Sequence, residues 1–357
     1  MQLRARRLLT FTALLSGTIA ATAVAAEDFY KDKTIDLIVS TGVGGGLDTN
    51  ARIVARHLGR HIAGNPTIVA KNMPGAGHVR AANFIYTQAP KDGTVIGTLI
   101  PAFVMAQVLK RSDAIQFDAG KFNWLASTSA SNSTIYVWKA TGVASIEDAK
   151  KRQVLMGGTG AGSYTTLYPL ILNYVVGTKF KVIAGYKSTA EIGLALERGE
   201  VEGRAGNNIN SMMAENSDWL KDDKIVLLAQ VGLERDPEFK NVPLMTELAR
   251  SEEERRILRL FSADVVIGRP FLTAPGVPPD RVALLRKAFV DMAKDPEYLR
   301  ESKAAGVDVE LVEGAKIQKI VEELVATPAE IVAKAKLAID TKDVTNKAKA
   351  DEGKGGK

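Results

Sequence analysis

Two rhythms of apolar spacing take turns along this chain. Ile35-Asp36-Leu37-Ile38-Val39 is a short apolar run that stops at a glycine cluster, Thr41-Gly42-Val43-Gly44-Gly45-Gly46-Leu47-Asp48, and behind it Ala51, Val54, Ala55, Leu58 and Ile62 recur at helical spacing. The unit repeats: Thr67-Ile68-Val69-Ala70 leads into Asn72-Met73-Pro74-Gly75-Ala76-Gly77-His78, followed by the stripe Ala81, Ala82, Ile85 and Tyr86 and then the run Thr94 to Leu99. A second set follows. Val154-Leu155-Met156-Gly157-Gly158 enters the turn Thr159 to Thr165 and a stripe of Leu167, Leu170 and Ile171, and Lys181-Val182-Ile183-Ala184 enters Gly185-Tyr186-Lys187-Ser188-Thr189 and a helix ending at Gly199. Val201 to Gly206 and Ile225 to Ala229 read as further strands. The run Val265-Val266-Ile267-Gly268 precedes Pro275-Gly276-Val277-Pro278-Pro279 and a helix carrying Val282, Leu285, Phe289 and Met292. Strands alternating with helices predict parallel sheets covered on both faces, here in two α/β lobes whose loops face each other.

The loops are where the chemistry lies. Glycine lets backbone N–H groups approach a ligand, and the following helix N-terminus adds unpaired donors and a positive dipole end. Ligands of such sheets bind outside the carboxyl ends of the strands, so an anion held by Gly44, Gly45, Gly46, Leu47 and Asp48 on one loop and Ala76, Gly77 and His78 on the other is the expected guest.

Residues 1–26 carry a basic stretch (Arg4, Arg6, Arg7), an apolar stretch from Leu8 to Ala20, and the small residues Ala21 to Ala26. They read as a secretion signal removed on export, because the apolar core is shorter than the roughly 18–20 residues a membrane anchor needs and is broken by Ser16, Gly17 and Thr18. The expected product is soluble, periplasmic and free of disulfides, since the chain has no cysteine. The formal charge of +6 is concentrated in the leader arginines and in the tail 341–357, which reads as disordered. What remains is close to neutral, with no basic face interleaved with aromatics, so nucleic acid is not an expected partner.

Seven short motifs follow one another in order: Tyr30-Lys31-Asp32-Lys33-Thr34-Ile35, Gly44-Gly45-Gly46-Leu47-Asp48, Asn72 to Gly77, Ala89-Pro90-Lys91-Asp92-Gly93-Thr94, Gly185-Tyr186-Lys187, Glu200-Val201-Glu202-Gly203 and Ala274-Pro275-Gly276-Val277-Pro278. From about residue 28 to about residue 312 the chain resembles the Bug-type (TctC-like) periplasmic receptors of tripartite tricarboxylate transporters. The resemblance implies a two-lobed clamp of the type II periplasmic binding protein class. It also implies a small carboxylate held largely by loop amides and water, small and large membrane subunits as partners, a monomer, and no catalysis, metal or cofactor. Val43, Met73 and His78 depart from the residues usual in that family, so the pocket floor is expected to differ. Lobe 1 is expected from 27–103 and 233–340 and lobe 2 from 104–232, with crossings near Ile100 to Phe103 and between about Gly232 and Asp264.

Single side chains have competing roles. His78 and Arg80 could add charge-assisted contacts to a carboxylate or stand as loop and helix-surface residues. Ser163, Tyr164 and Thr165 offer hydroxyls to the far side of an acid or cap the helix that follows. Arg204 needs a partner if buried, either ligand or the nearby Glu202 and Glu200. Lys187 reads mainly as solvated, Asn207 joins the second-lobe candidates, and Asp48 is expected to cap the first helix and stiffen its loop. An exported hydrolase using Ser163 or Asp48 is the alternative, although no histidine and acid stand near Ser163 in the sequence, and a sensor subunit shares the same clamp. His57 and His61, spaced i and i+4 among arginines, read as a solvated face rather than a metal site.

Overall fold

The computed structural model describes residues 29–109, 113–160, 162–340 and 345–346. The expected leader and most of the tail lie outside them. The chain begins as anticipated, with β1 (Thr34–Val39), helix α1 (Gly46–Leu58), β2 (Thr67–Asn72), α2 (Val79–Thr87) and β3 (Val95–Thr98), and continues through two elements that the apolar spacing does not announce, α3 (Ala102–Val108) and β4 (Asn123–Ser127). It then crosses to a second lobe: β5 (Ser133–Trp138), α4 (Ile146–Lys151), β6 (Val154–Gly158), α5 (Tyr164–Val176), β7 (Phe180–Ala184), α6 (Thr189–Glu197), β8 (Gly203–Asn208), α7 (Ile209–Glu215), α8 (Ser217–Lys221) and β9 (Ile225–Val231). The return runs through α9 (Glu252–Ile267), β10 (Pro270–Thr273), α10 (Pro279–Met292), α11 (Pro296–Ala304), β11 (Val312–Glu313), α12 (Gly314–Val325), α13 (Ala329–Ala338) and β12 (Thr345–Asn346).

Two six-stranded sheets result, in the orders β11-β4-β10-β3-β1-β2 and β12-β7-β6-β8-β5-β9. The two-lobe α/β architecture is the expected one. The sheets are mixed rather than parallel: β10 runs antiparallel to β3 and β4, and β5 antiparallel to β8 and β9. The reason is connection geometry, because β10 is fed by a chain returning from the other lobe and so enters its sheet from the end opposite to that used by β1 to β3.

Sheet pairing puts the first crossing at residues 128–132, not near Ile100 to Phe103. Phe103 stacks on Trp124 at 5.9 Å between centroids and meets Phe117 edge-on at 5.4 Å, so burial of these rings holds α3 and β4 on the first lobe. The second crossing ends at Gly268. The apolar run Val265-Val266-Ile267 is the last turn of α9, whose start is fixed by Ser251, the Oγ of which accepts from the Glu254 N–H at 3.1 Å. The two crossings run side by side, Thr128 N–H donating to Arg269 O at 3.3 Å and Arg269 N–H to Ser129 O at 3.1 Å. Gly268 is required there: φ is +58°, and a Cβ would stand 2.1 Å from Ser129 O. Helix α13 packs against α5 of the second lobe and α9, and Thr345 and Asn346 of the tail pair parallel with β7.

Candidate functional site

The first glycine loop is rigid because Asp48 organises it from behind. Its carboxylate accepts from Gly44 N–H at 2.9 Å, Arg52 Nε at 2.9 Å and Asn72 Nδ2 at 2.8 Å, and Arg52 Nη2 closes the ring on Asn72 Oδ1. Arg52, Gly44 and Asn72 hold the carboxyl down at about 2 against the opposing effect of burial. Asp48 thus stiffens the loop as expected but caps no helix, the N-cap of α1 being Gly45 with no side-chain bond. A ligand finds the carboxylate already satisfied. Leu47 is buried in the core and offers only its backbone. In front of the loop there is room, since a Cβ on Gly42, Gly44 or Gly45 would meet nothing within 4 Å.

The second loop keeps Gly75, Ala76, Gly77 and His78 all at positive φ, from +47° to +139°. His78 Nδ1 lies 3.2 Å from Ser40 O, an acceptor, so that nitrogen carries the proton and ties the loop to the end of β1. Arg80 is exposed and reaches back to Pro74 O at 3.5 Å.

On the second lobe the hydroxyls of Ser163 and Thr165 are occupied. Ser163 Oγ donates to Gly160 O at 2.8 Å and lies 2.6 Å from Thr165 Oγ1, which also accepts from Thr159 N–H at 3.0 Å. These hydroxyls build the turn, and Ser163 caps α5 with its backbone carbonyl rather than its side chain. Glu202 bonds Arg152 at 2.8 Å and Leu155 N–H at 2.9 Å, so it is not the partner of Arg204. Arg204 instead donates to Thr189 O at 3.2 Å, with Nε unpartnered among the described residues. Asn207 is buried with its Nδ2 likewise unpartnered, while Lys187 is exposed. Tyr164 stands at the surface, stacked on the buried Tyr168 with centroids 5.0 Å apart.

Between the lobes a cavity of about 340 Å³ is walled by Pro101, by Ser129 and Ser131 of the first crossing, by Tyr164 and Tyr168, and by Asp264 and Arg269 at the second. Of the residues named from sequence, Tyr164 lines it, and Gly46 adjoins it, since a Cβ on Gly46 would stand 3.4 Å from Arg269 Nη2. The other candidate site residues do not line it. Arg269 is the side chain that connects the first glycine loop to the cavity. Its Nη1 is buried with no hydrogen-bond partner among the described residues. Burial pulls its pKa down, opposed by the charge of Asp308 and by Tyr298. A guanidinium remains charged in such a place and is stabilised by an anion, and the α1 N-terminus beside it favours the same guest.

No family model matches the chain. A curated protein of Cupriavidus necator, the UPF0065 protein in the gbd 5′ region, is 27% identical over 300 residues, which is 81% of this chain and 83% of that protein. Among solved structures, a TctC solute-binding protein from Polaromonas aligns with a TM-score of 0.66 and 20% identity over 86% of this chain and 98% of its own. The periplasmic binding protein BugD aligns at 0.54 and 20% over 86% and 99%, and MatC from Rhodopseudomonas palustris with bound malate at 0.52 and 18% over 84% and 99%. The fold is that of the TctC and Bug periplasmic binding proteins. The Bug-type resemblance read from the loop motifs therefore holds for this fold.

Arg269 was not among the residues expected to form the site of this TctC-like fold. The available signal was a lone arginine between Gly268 and Pro270, after an apolar run; its position depends on where the chain crosses between sheets. His57 and His61 are not a solvated face. His57 is buried, with Nε2 2.5 Å from Glu301 Oε2, and His61 Nε2 lies 2.9 Å from Asp295 Oδ2, so both lock α1 to the α11 region. Among the described residues no cluster fits a metal ion, and no helix is long and apolar enough to cross a membrane.

Proposed function

We propose that the protein is a periplasmic receptor that captures a small organic carboxylate between its lobes and delivers it to a tripartite transporter. The observation that carries this reading is the buried, unpartnered Nη1 of Arg269, set in the interlobe cavity against the Gly46 end of the first anion loop. One carboxylate of the guest would take Arg269 and the amides of Gly45 and Gly46, with water filling the remaining donors. The body of the acid would lie on the Tyr164–Tyr168 stack, and the second glycine loop would close over it from the first lobe. Solved structures of the same fold with malate and with adipate support the choice of a carboxylate. The transporter partners rest on the Bug-type resemblance and export on the leader-like segment 1–26.

Ser163 has its hydroxyl committed to the turn and Asp48 its carboxylate to the loop, so neither is placed as a nucleophile or base, and the acid is expected to leave unchanged. Titration calorimetry of the pure protein against a panel of mono-, di- and tricarboxylates is the test, with Arg269→Gln beside the wild type. One narrow group of acids should bind, and the variant should lose at least about tenfold in affinity, roughly 1.4 kcal/mol. Unchanged affinity in Arg269→Gln would move the site elsewhere, and turnover of a bound acid would replace the receptor reading by an enzyme.

A further inference from the structure

Besides the hydroxyls of Ser131 and Tyr168, also without a hydrogen-bond partner among the described residues, the cavity wall holds an unspent side chain of chemistry opposite to Arg269. Asp264, in the last turn of α9, is 7% exposed and lines the same cavity as Arg269, and its Oδ1 has no hydrogen-bond partner among the described residues. A buried carboxyl without a partner costs free energy that a structural role would repay through hydrogen bonds to the fold. None is present among the described residues. Arg269 is not that partner: it feels the charge of Asp308 and Tyr298, whereas burial alone acts on Asp264. The other carboxylate on the cavity wall, Asp308, is exposed, and its charge acts on Arg269 without an ion pair among the described residues. A cation that needs an anion and a carboxyl that needs a donor therefore face one small space without satisfying each other.

We propose that Asp264 is a specificity-determining residue, hydrogen-bonded to a hydroxyl or ammonium group of the bound acid, so that the cleft selects hydroxy- or amino-substituted carboxylates over their unsubstituted parents. This rests on the carboxylate-receptor reading and deepens it by naming the second group on the ligand. A site that buries an unpaired polar atom rejects the analogue lacking its partner far more strongly than an apolar wall rejects a missing methylene. Arg269 would fix the carboxylate and Asp264 the substituent, and two points five residues apart in sequence would set the orientation of the guest.

The test uses calorimetry at pH 7 with matched probes: succinate, malate and aspartate, and glutarate, 2-hydroxyglutarate and glutamate. Wild-type protein should bind at least one substituted acid about tenfold or more tighter than its parent. Asp264→Ala should bring the two within about threefold by weakening only the substituted acid, with Asp264→Asn as a size-conserving control for folding and Asp308→Asn retaining the preference. Equal binding of parents and substituted acids by the wild type would overturn the inference and leave the carboxylate receptor standing. So would a preference that survives in Asp264→Ala, or one that Asp308→Asn abolishes. Failure of the wild type to bind any of the six acids would overturn the inference and count against the receptor reading as well.

Discussion

The first glycine loop and the crossing between the lobes each bury one aspartate, Asp48 at 2% and Asp264 at 7% exposure, and the two carboxyls are driven in opposite directions. Asp48 is held at about 2 by Arg52, Gly44 and Asn72, whereas burial pushes Asp264 up to about 7. Exposure is nearly the same, but Asp264 lies deeper and has no partner while Asp48 has three, so desolvation prevails at one and hydrogen bonding at the other. The loop consumes its own side chains to fix a shape and presents backbone N–H groups outward. The crossing leaves Arg269 and Asp264 unspent and presents side chains. On the proposed reading, one region would hold any small anion by its amides, and the other would tell anions apart.

The comparison is broken most sharply by pH. A carboxyl raised from 3.8 to about 7 keeps its proton in the folded state while the unfolded chain loses it, so its contribution to stability falls between about pH 4 and pH 7. The full difference is up to about 4 kcal/mol, and Asp264→Asn should flatten that slope in urea unfolding followed from pH 4 to 8. Parallel profiles for variant and wild type would mean that Asp264 has a partner after all. For Asp48 the sign reverses: its contribution is present above pH 4 and is lost as pH falls toward 2. Asp48→Ala should therefore cost about 2–3 kcal/mol at pH 7 in the same assay, and a neutral result would leave the loop without its organiser. Gly46→Val probes the junction of the two regions. It should keep the fold but weaken ligand binding by more than about tenfold, because the side chain would crowd Arg269 and the amides, and wild-type affinity by calorimetry would detach the loop from the cavity. The smallest effect belongs to Ser163→Ala, expected to lower stability by about 1 kcal/mol and to change affinity less than about threefold. A tenfold loss of affinity would return Ser163 to the ligand shell.

The strands that could be read from sequence, β1, β2, β3, β6, β7, β8 and β9, are mostly apolar runs, and several of them stop at glycine or a glycine loop. Strands β4 and β5 are hidden by their polar content: Ser133 and Thr134 of β5 are buried with hydroxyls that donate to Asn207 O at 3.2 and 2.9 Å, a compensation that only the folded sheet supplies. The glycine loops were legible because their function is written in backbone freedom. Ser163 and Thr165 stand at a glycine turn on the second lobe with their hydroxyls turned into it, and whether a hydroxyl faces a ligand or its own turn depends on rotamers that spacing does not encode. Arg269 depends on a contact between residues 129 and 268, far apart in the chain, and no local pattern announces it.

The side-by-side crossing, where Gly268 leaves no room for a Cβ against Ser129 O, would act as an axle for lobes that turn about it. A point on an axle hardly travels when the arms turn about it, whereas the tips sweep the longest arcs. Arg269 is mounted there beside Gly46, so an acid gripped by its guanidinium and the neighbouring amides would keep that grip at any opening angle, while the ring of Tyr164 would ride the opposite arm. Seizure of the charge and enclosure of the remainder would thereby become separable in time, with the first indifferent to leverage and the second governed by it.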